Sequence, residues 1–171
     1  MKLKLYLLFV ISSLLIFLSG CTPTEKPKVV KQAESPQKTE LGLYLTSTEA
    51  LDFINKESQD ILFVDVRTQG EINTEGMPSL ADVNIPYIKR QKEQDKVKSI
   101  INPKFVLNIE EQLKEKGLDK QSNILLICRR GNRSAKAVNA LAKAGYQKVY
   151  HVIDGTQGWQ QNNLPWTPNS E

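Results

Sequence analysis

Cysteine and histidine are scarce in this chain: its 171 residues hold only Cys21, Cys128 and His151. Two cysteines cannot staple a small disulfide scaffold or supply a zinc site built from four thiolates. One imidazole excludes HExxH metalloproteases and every metal centre that needs two histidines, so no metal is expected. The chain contains no GxSxG, no P-loop and no GxGxxG, which removes the usual serine-hydrolase, nucleotide and dinucleotide chemistries and leaves no organic cofactor to expect. Charge of one sign is also scarce. The formal net charge is +4, and Lys2 and Lys4 carry two of those charges in a segment expected to be removed. The remaining charge of about +2 is too small to point to a nucleic-acid partner.

What is present is ordinary for a folded domain: 40% hydrophobic, 25% charged and 7% aromatic residues. Those proportions exclude a wholly disordered chain, a collagen-like repeat and a multi-span membrane protein. The first twenty residues are set apart. Lys2 and Lys4 precede an apolar run from Leu5 to Leu18 broken only by Ser12 and Ser13, followed by Leu18-Ser19-Gly20-Cys21. This is the anatomy of a secretory signal, and as a helix the run spans about 21 Å, short of a bilayer core of about 30 Å. The ending resembles the lipobox of bacterial lipoproteins, which implies a Cys21 that is diacylated and becomes the mature N-terminus. An uncleaved anchor helix is the other reading, and either one tethers an exported domain to a membrane. Residues 22–40 interleave Pro23, Pro27 and Pro36 with lysines and glutamates, a composition that reads as a flexible stalk reaching about 25 Å on average.

From Leu41 to Pro168 the pattern is that of one domain. Thr46-Ser47-Thr48-Glu49 offers a capping box ahead of Ala50, Leu51, Phe53 and Ile54, so a helix is expected there. Ile61 to Val66 and Asn123 to Ile127 are short apolar runs suited to buried strands. Phe105, Ile109 and Leu113 mark one face of a helix that Gly117 closes. A helix is expected from Ser134 to Ala144 before Gly145, a third strand from Lys148 to Ile153, and a last helix from Gly155 to Gln161. Alternating strands and helices predict an α/β domain with a mainly parallel central sheet flanked by helices. The charged stretch from Lys89 to Lys98 is expected to be a solvated helix or loop.

In open α/β sheets, ligands gather at the carboxyl ends of the strands. Cys128 is expected at such an end, in Cys128-Arg129-Arg130-Gly131-Asn132-Arg133-Ser134. A turn into a helix N-terminus offers free backbone N–H groups and the positive end of the helix dipole. With three arginines close by, those donors favour a thiolate, and Gly131 permits the curvature that lets successive amides converge on one anion. A cysteine protease would need a histidine base, but His151 falls within the expected third strand, where a structural or surface role is the expectation.

Several motifs occur in the order found in rhodanese domains. They are Asp65-Val66-Arg67 after a strand, Glu71, Asn84-Ile85-Pro86, the Cys128 loop, Gly155-Thr156-Gln157-Gly158-Trp159 and Leu164-Pro165. The chain resembles that family over residues 41–168, most specifically in the Cys-Arg-x-Gly-Asn-Arg-Ser loop. The resemblance implies a doubly wound α/β fold and sulfurtransferase activity. A sulfane sulfur would pass from a small anionic donor such as thiosulfate, through a cysteine persulfide, to a thiol, cyanide or protein acceptor. Carried over position by position, Cys128 is the nucleophile, and Arg129, Arg130, Gly131, Asn132 and Arg133 form the anion-holding loop. Ser134 starts the next helix. Asp65 helps organise the site, Arg67 makes a supporting ion pair with Glu71 as its candidate partner, and Trp159 packs the core.

The chain also departs from the family's pattern. Gly76-Met77-Pro78-Ser79-Leu80-Ala81 lacks the histidine of the family's Gly-His-Ile-Pro-Gly-Ala, Asp154 replaces a frequent glycine, and the stretch from Lys89 to Leu118 is longer than in minimal members. Related phosphatase and arsenate reductase loops hold one more residue between cysteine and arginine, room for a tetrahedral oxyanion. Here four residues separate Cys128 from Arg133, and Ile127 precedes the cysteine where tyrosine phosphatases favour histidine. A sulfur carrier or protein-docking module without turnover is the remaining alternative.

Overall fold

Every side chain from Ile61 to Val64 is apolar, so this run has to be covered on both faces. In the computed structural model, which describes residues 37–57, 60–93 and 96–169, it lies in the interior of a sheet. The elements in chain order are β1 (Tyr44–Leu45), α1 (Ser47–Lys56), β2 (Ile61–Asp65), α2 (Gln69–Glu75), β3 (Met77–Pro78), β4 (Val83–Asn84), β5 (Ile88–Glu93), β6 (Lys96–Ile101), α3 (Phe105–Glu115), β7 (Asn123–Ile127), α4 (Asn132–Lys143), β8 (Val149–Val152), α5 (Gly155–Gln161) and β9 (Trp166–Thr167). The central sheet has the order β1-β8-β7-β2-β4, and its strands are all parallel. The expected signal segment, Cys21 and residues 22–36 lie outside the described residues. Among the described residues no helix is long and apolar enough to cross a membrane.

Side chains alternate across a strand, and the core divides accordingly. Leu62, Val64, Ile124 and Leu126 join Phe105, Ile109 and Leu113 of α3 and Ala137, Val138 and Leu141 of α4 on one face. Ile61, Phe63, Leu125 and Ile127 join Ala50 and Ile54 of α1 and Trp159 of α5 on the other. The β2–β7 register pairs Ile61 with Asn123 and ends with Asp65 level with Ile127. The Val66 amide then donates to the Ile127 carbonyl at 2.8 Å, so Arg67 and Cys128 leave the sheet at the same edge.

The expected capping box at α1 is present: Thr46 N–H donates to Glu49 Oε2 at 2.8 Å and Glu49 N–H to Thr46 Oγ1 at 3.4 Å. Helix α4 begins at Asn132, two residues ahead of the expected start, because Gly131 caps it in the left-handed region. Gln37 to Glu40, assigned to the stalk by composition, lie on the domain. Gln37 Nε2 donates to the carbonyls of Arg130 and Ile153 at 2.6 and 3.1 Å, and the Glu40 amide donates to Asn139 at 2.8 Å.

The stretch from Lys89 to Lys98 corrects the expectation of a solvated helix or loop. Strands β5 and β6 pair antiparallel from Ile88↔Ile101 to Glu93↔Lys96, forming a two-stranded sheet that joins no strand of the central one. Val97, Ile100 and Ile101 favour extended backbone on the return strand, and a composition dominated by lysine conceals that preference.

Trp159 is fully buried, with its ring 5.6 Å from that of Phe63 and its Nε1 donating to the Pro165 carbonyl at 2.9 Å. Trp159→Ala is expected to cost about 3–5 kcal/mol, read as a lowered urea midpoint with little change in slope.

Candidate functional site

Cys128 follows the last residue of β7 and is 1% exposed. The chain then turns at Gly131, with φ +80°, into α4. A Cβ at Gly131 would collide with the Ile153 carbonyl and crowd Gln37, so both the backbone conformation and the space demand glycine. The turn brings the Ser134 amide and hydroxyl each to 3.4 Å from the Cys128 sulfur. The backbone amides of residues 129–133 find no acceptor among the described residues. These donors border the N-terminal turn of α4, where the helix dipole adds positive potential. Together they form a cradle of N–H groups at the edge where Cys128 sits.

The three arginines do not act together as the sequence suggests. Arg133 is committed to Glu71, its Nη1 and Nη2 reaching Oε2 and Oε1 at 2.6 Å each. Arg129 points outward, half exposed, 3.6 Å from Glu75. Arg130 Nε donates to Gln157 Oε1 at 3.0 Å on the surface. Of the three, Arg133 makes the short bidentate pair with a carboxylate of α2, and Arg129 reaches the same helix through its longer contact with Glu75. Asn132 opens α4, and Ser134 lies beside the sulfur as well as in the first turn.

Glu71 is therefore not the partner of Arg67, which corrects the expectation drawn from the resemblance. Arg67 is fully buried and grips Asp65, with Nη2 at 2.8 Å from Oδ2 and Nε at 3.1 Å from Oδ1. It also reaches Glu75 at 3.0 Å and the Gly76 carbonyl at 2.6 Å. Burial pushes the Asp65 carboxyl up, against the pull of Arg67. Asn84 of the Asn84-Ile85-Pro86 motif supports this corner, its Nδ2 donating to the carbonyls of Asp65 and Arg67 at 2.8 and 2.9 Å.

Glu71 has a second task. Its Oε2 accepts from the Thr68 amide at 2.9 Å and the Thr68 hydroxyl at 2.7 Å, closing a capping box on α2. Burial alone would raise this carboxyl, but the Arg133 and Thr68 hydrogen bonds outweigh it and hold Glu71 at about 2. The sequence reading passed over α2 entirely, although Thr68-Gln69-Gly70-Glu71 carries the S/T-x-x-E capping signature. His151 lies in β8, the expected third strand, and faces the interior rather than the surface. That ring is fully buried, with Nδ1 3.3 Å from the Ser134 hydroxyl and Tyr44 edge-on at 5.3 Å. Burial lowers His151 to about 4, so the ring is neutral at neutral pH and meets the sulfur only through Ser134. Among the described residues no cluster of histidine, cysteine and carboxylates could hold a metal ion.

Comparison with known proteins bears on the family and the fold. The family model for the rhodanese-like domain matches residues 46–162. An uncharacterized protein of Rickettsia prowazekii is 33% identical over 132 residues, covering 71% of this chain and 94% of that protein. Thiosulfate sulfurtransferase 18 of Arabidopsis thaliana is 31% identical over 117 residues, covering 64% of this chain and 74% of that protein. The fold is similar to the crystal structure of a thiosulfate sulfurtransferase from Pseudomonas aeruginosa, with a TM-score of 0.55 and 18% identity over 75% of this chain and 20% of that one.

Two acid-side effects follow. A carboxylate held at about 2, against an ordinary 4.5, contributes stability above pH 4.5 and loses it as pH falls toward 2. Glu71→Gln is expected to cost about 1–2 kcal/mol at pH 7, after solvent screening of a partly exposed pair. The gap from wild type should close between pH 4.5 and 2, read by urea unfolding across pH. His151 has a different window. The unfolded chain takes up a proton below pH 6.5 that the folded chain refuses until about 4, so stability falls across that range and His151→Asn should flatten the fall.

Proposed function

Because the chain belongs to the rhodanese-like domain family, we propose that it is a sulfurtransferase working through a persulfide on Cys128. The supporting observation is a sulfur held at the carboxyl edge of the sheet beside Ser134 and bordered by five backbone amides that have no acceptor among the described residues. In the first step the Cys128 thiolate attacks the outer sulfur of thiosulfate. The new S–S bond forms as the old one breaks, and sulfite leaves with the electron pair. The product persulfide carries one negative charge on its terminal sulfur, which is the charge the amide cradle and helix terminus are placed to stabilise. In the second step a thiophilic acceptor attacks that terminal sulfur and Cys128 leaves as thiolate. With cyanide the product is thiocyanate, and with a thiol it is a new persulfide.

The buried network behind the loop fits this chemistry. Glu71 fixes the position of Arg133, and the unpaired edges of the Arg133 guanidinium remain able to donate toward a dianionic donor. No step needs a metal or an organic cofactor. The N-terminal motif extends the proposal to location: the protein is exported and held at a membrane through a diacylated Cys21. Metabolic labelling with a palmitate analogue should mark the wild-type chain and not Cys21→Ser.

The assay for the central reading uses the full chain with thiosulfate and cyanide, run beside an aryl phosphate. Thiocyanate should form, phosphate should not be released, and Cys128→Ser should abolish turnover while keeping the fold. Arg133→Ala should raise the KM for thiosulfate by about ten- to a hundredfold, the loss of one charge-assisted contact. Phosphate release, or full activity in Cys128→Ser, would overturn the reading.

A further inference from the structure

The β5–β6 ribbon is the element that neither the core nor the cysteine loop requires. Cross-strand partners in an antiparallel pair point to the same face, so the register sorts its side chains into two sets. One face carries Lys89 with Ile100, Gln91 with Lys98, and Glu93 with Lys96, and there Glu93 pairs with Lys98. The opposite face carries Arg90 with Ser99, Lys92 with Val97, and Ile88 with Ile101. Among the described residues this face has no acidic side chain, and no carboxylate lies within ion-pair reach of Arg90 or Lys92. Val97 and Ile101 on the same face are 63% and 62% exposed.

The base of this face opens into a cleft. Ile88, Lys89 and Arg90 line one side of a space of ≈ 630 Å³, and Thr68, Glu71 and Thr74 of the α2 region line the other. Glu71 is the residue that holds Arg133. Anything seated along the ribbon and into the cleft therefore lies at the same end of the domain as Cys128.

We infer that this face of the ribbon docks an acidic, partly apolar segment of a protein sulfur acceptor. The identity of the cargo rests on the sulfur-transfer reading; the docking itself does not. Arg90 and Lys92 want carboxylates, and Val97 and Ile101 want apolar side chains between them. Both ribbon strands have a free edge, so an extended segment can add as a third strand through main-chain hydrogen bonds. Lysines along an exposed edge also discourage pairing with a second copy of the same chain, but that protective role does not account for the exposed Val97 and Ile101 on one face. A concave approach walled by α2 suits a peptide segment better than a flat lipid surface.

The test uses the full chain and an extended fluorescent peptide alternating glutamate with leucine and ending in cysteine, beside a copy with lysine in place of glutamate. At low salt the acidic peptide should bind about tenfold tighter by anisotropy, and added salt should weaken it. Lys92→Glu combined with Val97→Ser should erase that preference. Circular dichroism and thiosulfate:cyanide turnover of this variant should stay at wild-type levels, since neither side chain is buried or contacts the cysteine loop. Equal binding of the two peptides would overturn the inference. So would an acidic preference that survives the variant, or a variant that changes only binding to phosphatidylglycerol vesicles or self-association by light scattering. The two readings fail separately. Discriminating binding without sulfur transfer to either cyanide or peptide counts against the sulfurtransferase, whereas cyanide turnover without peptide discrimination counts against the docking face.

Discussion

One carboxylate joins the two helices that frame the site. Glu71 accepts from Thr68 through Oε2 to cap α2 and, with Oε2 and Oε1 together, holds both Nη atoms of Arg133 in the first turn of α4. A bidentate, charge-assisted pair fixes orientation as well as distance, so the start of α4 cannot rotate without undoing the start of α2. The loop from Cys128 to Arg133 is thereby pinned at its far end, while β7 pins it at the near end. Between those anchors the chain has one route, through the left-handed turn at Gly131, and that route leaves its amides without acceptors among the described residues.

A second layer supports the first. Asp65 and Arg67 leave β2 level with the end of β7, and Arg67 is buried because it has partners on several sides: Asp65, Glu75 and the Gly76 carbonyl. Removing one partner of such a group strands a charge away from water, which is costly. Glu75 also faces Arg129, so the carboxylates of α2 reach both ends of the cysteine loop. The site is thus held by α2 and the β2 edge, elements outside the loop itself, and its one buried histidine is set behind Ser134 and not in the mouth.

The sheet was legible because β2 and β7 each run through four consecutive apolar residues, Ile61 to Val64 and Ile124 to Ile127, a pattern that suits a strand covered on both faces. The helices marked by Thr46, by Phe105 and its repeats, and by Gly155 were legible from caps and spacing. Helix α2 was missed because Gln69-Gly70-Glu71-Ile72-Asn73-Thr74 has no apolar face to announce it; it is held by its cap and by ion pairs. The β5–β6 ribbon was missed because a two-stranded sheet with no core of its own has little periodic burial to display. The resemblance located the cysteine loop but not the pairing within it. The candidate pairing of Glu71 with Arg67 came with the resemblance, and only the tertiary fold brings Arg133, 62 positions away, to that carboxylate.

The claim on which the rest depends is that Cys128 accepts a sulfur atom. The direct measurement is the intact mass of the full chain before and after brief exposure to thiosulfate, followed by peptide mapping under non-reducing conditions. The account predicts a gain of one sulfur atom, located on the peptide containing Cys128, released by cyanide, and accompanied by sulfite in solution. An unchanged mass, or added sulfur that maps elsewhere, would contradict it.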